Sequence, residues 1–137
     1  MGGTVIERAL KSLVIIRAKH LAESVTTPML LIDAEGNLVF YNEGAEALLE
    51  TPFTDVGVIP AAEWQDMFRL RARDDSPAPL EKMPGWIDLQ GERPGLGHVR
   101  FTTLTGKDHF VAVCAVPLFT AQKQFDGALV LFWDEPE

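Results

Sequence analysis

Residues Pro28 to Glu50, PMLLIDAEGNLVFYNEGAEALLE, constrain the fold more than any other stretch of this 137-residue chain. Leu30–Ile32 and Leu38–Tyr41 are short runs of branched and aromatic side chains, which suit a pleated, packed surface and are too short for free-standing helices. Between them, Asp33-Ala34-Glu35-Gly36-Asn37 carries turn chemistry, with Gly36 or Asn37 able to take the positive φ of a short hairpin loop. After the second run, Asn42 stands where its side-chain oxygen can accept from the Ala45 N–H and cap a helix. Glu43 and Glu46 then sit near a helix start whose dipole favours acids. The stretch therefore reads as a hairpin running into a capped helix.

Upstream, a helix is expected from Thr4 to about Val25. Ile6, Leu10 and Leu13 begin a 4-3 spacing that Arg17 breaks, and Val14, Ala18, Leu21 and Val25 carry a second stripe on a neighbouring face. Leu13-Val14-Ile15-Ile16 is apolar all round, wider than one packing surface covers. Two readings follow: a flanking helix packed on its own domain, or a helix that also makes a dimer contact through Ile6, Leu10, Leu13, Val14 and Leu21.

Downstream, Thr51-Pro52-Phe53 breaks regular structure. Helical period resumes from Ala61 to Arg73, with Trp64, Met67 and Phe68 on one face and Arg69, Arg71 and Arg73 read as solvated. A second helical pattern, Leu80, Met83, Trp86 and Ile87, starts at Pro79 and is interrupted by Pro84. Gly91 to Gly97 is expected as loop. His98–Leu104, His109–Phe119 and Gly127–Trp133 read as strands, the first two joined by the Thr105-Gly106-Lys107-Asp108 hairpin signal. Strand pairs at both ends with helices between them indicate an antiparallel α+β domain.

This order of elements resembles the PAS family. The opening match is carried by Pro28, the first apolar strand, Asp33, Gly36, Tyr41-Asn42, Ala45, Leu48 and Leu49. The later match is carried by Leu80, Met83-Pro84, Gly91-Glu92, Gly106, Val116-Pro117-Leu118, Gly127 and Val130-Leu131-Phe132. The resemblance spans residues 26–134, with 1–25 as a flanking helix and 135–137 as a tail. It implies a five-stranded antiparallel sheet with short helices on one face, enclosing a pocket. Many such domains end in Asp-x-Thr leading into an effector helix, whereas Asp134 is followed here by Glu135-Pro136. The expectation is accordingly a stand-alone sensory module that docks a separate signalling partner.

Candidate chemistry is sparse. Twenty acidic against twelve basic residues give a net charge of -8, which repels a phosphate backbone, so nucleic acid is not an expected partner. No uncharged apolar run reaches the roughly 20 residues of a membrane span, and the single Cys114 suits a reducing cytoplasm, the expected location. Cys114 lies in an apolar strand without a basic neighbour and reads as a packed residue, not a nucleophile. The Asn-Cys-Arg-Phe stretch of the family's flavin photoreceptors has no counterpart, so flavin adduct chemistry is not supported.

His20, His98 and His109 lack metal-pair spacing, so no metal is predicted. The family's haem-binding members place a histidine on the helix before the third strand. Leu80 to Gln90 contains none, and haem is not expected. His98 reads as a solvent-facing strand end, His109 as a surface residue, and Gly95-Leu96-Gly97 as loop. Asp33, Gly36 and Asn42 are assigned to turn and cap, and no catalytic constellation can be assembled. What remains is a set of large apolar side chains, Phe40, Leu49, Met67, Phe68, Met83, Trp86, Phe101 and Phe132. These are candidates to line a pocket for a small apolar molecule, the alternative being a filled core in a pure protein-interaction domain.

Overall fold

The hairpin and the cap form as their side chains dictate, and each reaches further than its neighbours in sequence. The computed structural model describes residues 5–53, 58–77, 91 and 93–136, without the side chains of 5–12. In the turn, Asp33 Oδ1 accepts from the N–H groups of Glu35 and Asn37, both at 2.9 Å, and Gly36 takes the positive φ, 86°. Strands β1 (Met29–Asp33) and β2 (Leu38–Tyr41) flank it, and helix α2 (Glu43–Leu49) follows. Asn42 Oδ1 accepts from Ala45 N–H at 3.0 Å, the expected cap, and also from Met29 N–H at 2.9 Å. Its Nδ2 donates to the carbonyls of Ala22 and Thr27 at 2.9 Å and of Val25 at 3.3 Å.

Strands β3 (Gly95–Thr102), β4 (Asp108–Phe119) and β5 (Phe125–Asp134) complete an antiparallel five-stranded sheet of order β2-β1-β5-β4-β3. The first and last strands of the chain thus meet at its centre. Gly127 makes that meeting possible. Its φ is +143°, and a Cβ there would stand 2.2 Å from the Ile32 carbonyl.

The sheet has two apolar faces. On one, α2 and helix α3 (Ala61–Met67) cover a core of Ile32, Leu38, Tyr41, Ala45, Leu49, Trp64, Phe68, Phe101, Val111 and Phe132. On the other, helix α1 (Val5–Glu23) lays Ala18 and Ala22 on Met29, Leu31 and Leu129, with Ile15 and Val25 at the margin. The small alanines let the helix approach the sheet closely. The second stripe expected from the sequence is therefore displaced by one residue: Ala22 faces the sheet, and Leu21 faces solvent.

Three expectations are corrected by backbone pairing. The helix expected through Arg73 ends at Met67. Arg69 takes φ 46° and turns the chain, and Arg71 then exchanges backbone hydrogen bonds with Arg100 at 2.8 and 3.0 Å along the edge of β3. Gly95-Leu96-Gly97 is strand, not loop, paired with Ala115, Cys114 and Val113. β5 begins at Phe125, two residues before the expected start. The helical pattern of Leu80–Ile87 lies outside the described residues.

Asn42 is 1% exposed and holds backbone groups from three elements. Asn42→Ala is expected to cost about 3 kcal/mol in urea denaturation, the cap together with buried groups left unpaired. Asn42→Asp should cost at least as much, because it keeps the cap acceptor but turns a carboxylate toward three carbonyl oxygens.

Candidate functional site

The face under α2 and α3 gathers most of the apolar side chains singled out in the sequence. Leu49, Phe68, Phe101 and Phe132 are buried in one cluster, and Met67 packs at its margin. The Phe101 and Phe132 rings meet edge to face, 6.3 Å between centroids. Burial of each such side chain contributes about 2 kcal/mol. The polar handles of the cluster are satisfied, with Tyr41 Oη donating to the Thr51 carbonyl and Trp64 Nε1 to the Gly36 carbonyl, both at 2.9 Å.

Phe40 does not join this set. Ile32 pairs with Leu38 and Leu31 with Phe40, so Val39 is an extra residue in β2 that reverses the alternation. Phe40 consequently shares the face of Leu31, packs with the α1 cluster, and lies under the Lys19 ammonium at 5.2 Å. Met83 and Trp86 lie outside the described residues.

Both strand histidines depart from expectation. His109 is buried, 9% exposed, and its ring stacks on Phe101 with centroids 5.0 Å apart. Its Nδ1 meets Asp134 Oδ1 at 2.8 Å, while its Nε2 is sealed from solvent without a partner. Nothing in the local sequence signals this, because both Phe101 and Asp134 arrive from other strands. His98 is half-buried within β3, stacked on Phe110 at 5.2 Å, and its Nε2 meets Glu135 Oε2 at 2.7 Å. Consecutive acids at the end of β5 thus engage two histidines on opposite faces of the sheet.

Near His109, the Glu50 carboxylate accepts from the hydroxyls of Thr105 and Thr103. Those two hydrogen bonds, Thr105 first, hold its pKa below the ordinary carboxylate range.

A second feature is polar. Arg71 is a tether, not a solvated side chain. Its Nε lies 2.8 Å from Asp75, its Nη1 donates to Thr102 Oγ1 at 3.0 Å, and its Nη2 lies 3.6 Å from Asp108. Beside it, Arg100 places its guanidinium 4.7 Å from the Phe110 ring centre and donates from Nε to the Arg73 carbonyl at 2.9 Å. Arg71, Asp75, Arg100, Asp108, His109 and Phe110 border an open hollow of about 350 Å³. The side chains of Asp108 and Phe110 alternate away from that of His109, which faces Phe101. The hollow is therefore an ion-pair pocket on the opposite side of the sheet from the His109 ring.

No group of three or more His, Cys, Asp or Glu side chains that could hold a metal occurs among the described residues. Cys114 is a free thiol, half-buried in β4 between Leu96 and Leu131 in register.

Solved structures share this fold. The PAS domain of the fruit-fly ELK potassium channel matches with a TM-score of 0.68 and 11% identity, over 90% of this chain and 98% of that one. The PAS domain of an HTR-like protein from Haloarcula marismortui matches at 0.60 and 17%, over 94% and 97%. That of nitrogen regulation protein NR(II) from Vibrio parahaemolyticus matches at 0.60 and 15%, over 85% and 95%. The fold is that of a PAS domain. At these identities the likeness is one of fold. No protein-family model matches the chain, and no curated protein does. No helix among the described residues of this PAS fold is long and apolar enough to cross a membrane.

The tether gives a titration test. The Thr102 hydroxyl first, and Arg71 after it, hold the Asp108 carboxyl below its ordinary range. A depressed folded-state value stabilises the fold at neutral pH, and that contribution is lost as pH falls through the folded pKa. In a carboxyl-carbon NMR titration, Thr102→Val and Arg71→Met should each raise the Asp108 midpoint toward the ordinary value.

Proposed function

We propose that this PAS domain is a sensory and signalling module that forms a homodimer, takes a small apolar molecule between its sheet and α2–α3, and docks a separate signalling protein. The observation that carries the dimer is apolar surface left uncovered on the outer side of the sheet. α1 covers β1 and part of β5, yet Leu13 and Ile16 on its far side and Leu21 on its flank are 43%, 47% and 53% exposed. On the same side of the sheet, Leu96, Val116 and Trp133 of β3, β4 and β5 are exposed as well. Successive helix residues turn by about 100°, so Leu13 points opposite to the Ala18 and Ala22 face. Of the stripe predicted to make the dimer contact, Leu13 and Leu21 are exposed and Val14 is half-buried. The side chains of Ile6 and Leu10 lie outside the described residues. A second copy related by a twofold axis brings like apolar surfaces together, the usual geometry of homodimers.

The ligand half rests on the core face, where aromatic and aliphatic side chains from the sheet and two helices pack together and Phe101 stacks on His109, one ring nitrogen of which has no partner. A ligand would act through different affinity for two conformations. Several solved relatives of the fold are signalling proteins by name, including a two-component sensor histidine kinase and the Aureochrome1 blue-light photoreceptor. A net charge of -8 argues against a nucleic-acid partner. No catalytic role, metal or haem is part of the proposal, and Cys114 on its strand does not reproduce the flavin-adduct motif.

The close packing of Leu49, Phe68, Phe101 and Phe132 favours a second reading, a protein-interaction domain with a filled core. Native mass spectrometry of protein from its own host separates the two: a retained compound supports sensing, and a bare chain with no thermal shift across a metabolite panel supports interaction alone. For the dimer, sedimentation at micromolar concentration should give twice the chain mass. Leu13→Asp with Ile16→Asp should weaken association by about tenfold or more while leaving the circular dichroism unchanged. A monomeric unaltered protein removes the dimer from the proposal.

A further inference from the structure

His109 is a buried side chain that uses only one of its two ring nitrogens in a hydrogen bond. The carboxylate of Asp134 only accepts, so the hydrogen on the ring sits on Nδ1, and in the neutral imidazole Nε2 is left as an acceptor. Nothing donates to it. The two ring nitrogens diverge, so Nε2 points away from Asp134 and from β5. The ring lies nearly parallel to Phe101, at 20°, and Phe101 in turn abuts Phe132. Glu50 at the end of α2 is close enough for the two groups to interact electrostatically. The unused acceptor thus belongs to a buried ring stacked on Phe101 at the margin of the apolar cluster. Leaving a polar atom buried without a partner is unfavourable, and a donor on a bound molecule would remove that cost.

We infer that His109 Nε2 is the polar anchor of a small-molecule site on the core face, and that its ligand is a largely apolar, preferably aromatic, molecule presenting one hydroxyl or N–H donor. The inference rests on the reading that the core face takes an apolar ligand, and it adds the chemistry by which one is selected. Leu49, Phe68, Phe101 and Phe132 supply the apolar walls, and Asp134 fixes the tautomer that makes Nε2 an acceptor. A molecule with an acceptor in place of the donor meets a lone pair and is rejected, while a purely apolar one leaves Nε2 as it was. Because the same ring holds Asp134, a ligand on Nε2 also polarises the hydrogen bond that secures the last residue of β5.

Phenol and toluene, nearly equal in shape, separate the possibilities when titrated into the full chain with NMR detection of the imidazole nitrogens. Burying a hydroxyl without a partner costs free energy, so without the anchor phenol is the weaker ligand. With the anchor, phenol binds about tenfold more tightly than toluene and shifts the His109 Nε2 resonance, which toluene leaves in place. In His109→Phe the order reverses, toluene becoming the tighter of the two. Binding of both with toluene equal or tighter in the unaltered chain, or with Nε2 unmoved by phenol, overturns the anchor and leaves the apolar site standing. Binding of neither overturns both. The comparison of probes in the unaltered chain stands whether or not the variant folds.

Discussion

The Asn42 side chain is the contact on which the arrangement of elements depends. It joins the carbonyl end of α1, the first N–H of β1 and the first turn of α2, groups as many as 20 residues from it in sequence, through hydrogen bonds of 2.9 to 3.3 Å. Buried backbone groups of this kind must be paired, and an amide is the side chain that offers both donors and acceptors at one point. Asp or Ser satisfies the cap alone. The same site requires a glycine two residues on, since a Cβ at Gly44 would stand 2.2 Å from the Thr26 carbonyl. The chain between α1 and β1 therefore lies flat against the start of α2, which places α1 on one face of the sheet and α2 on the other.

A second junction repeats the logic at the hairpin. Pro60 precedes α3 and supplies no side-chain cap, so the start of that helix borrows one: Asn37 Oδ1 accepts from Ala61 N–H at 3.0 Å. Trp64, one turn further, donates to the Gly36 carbonyl. The turn that closes β1 and β2 is thus also the platform for α3, and Leu38 exchanges backbone hydrogen bonds with Ile59 at 2.8 and 2.9 Å. Turn residues that suggested only local structure position the helix that roofs the core.

What the sequence made legible was the set of hydrogen bonds closed within a few residues. Asp33 in the turn, Asn42 on Ala45 and the strand periods of residues 29–41 and 108–134 all belong to that set. What it hid depends on partners far away in the chain. Arg69 to Arg73 has good helix formers, yet the free edge of β3 offers Arg71 two backbone hydrogen bonds, and the pairing prevails over local propensity. Gly95-Leu96-Gly97 has a loop composition but a long β4 to pair with. One extra residue, Val39, moved Phe40 from the core face to the α1 face, and a bulge leaves no signature in composition. Of the pocket candidates, Leu49, Phe68, Phe101 and Phe132 came together because their strand and helix periods were read correctly. His109 was missed because a histidine after a turn carries no mark of burial.

The end of β5 shows why the two faces of this sheet are not independent. Asp134 and Glu135 are adjacent and point to opposite sides, and each meets a histidine that is itself stacked on a phenylalanine. On the core face the sequence of contacts is Phe132, Phe101, His109, Asp134. On the outer face it is Arg100, Phe110, His98, Glu135, and Phe110 also accepts from Glu135 N–H through its carbonyl at 3.0 Å. A well-packed interior transmits displacement because it has no slack, and rings stacked at about 5 Å have little room to slide. A change in the core that tilts His109 must be absorbed by Asp134, and through one peptide bond by Glu135 and the outer face. β5 and the residue that follows it meet both histidines through Asp134 and Glu135, and β5 also carries Trp133 into the uncovered outer surface. In the function proposed above, a ligand in the core and a copy on the outer face would be coupled through Asp134 and Glu135 rather than through a moving helix.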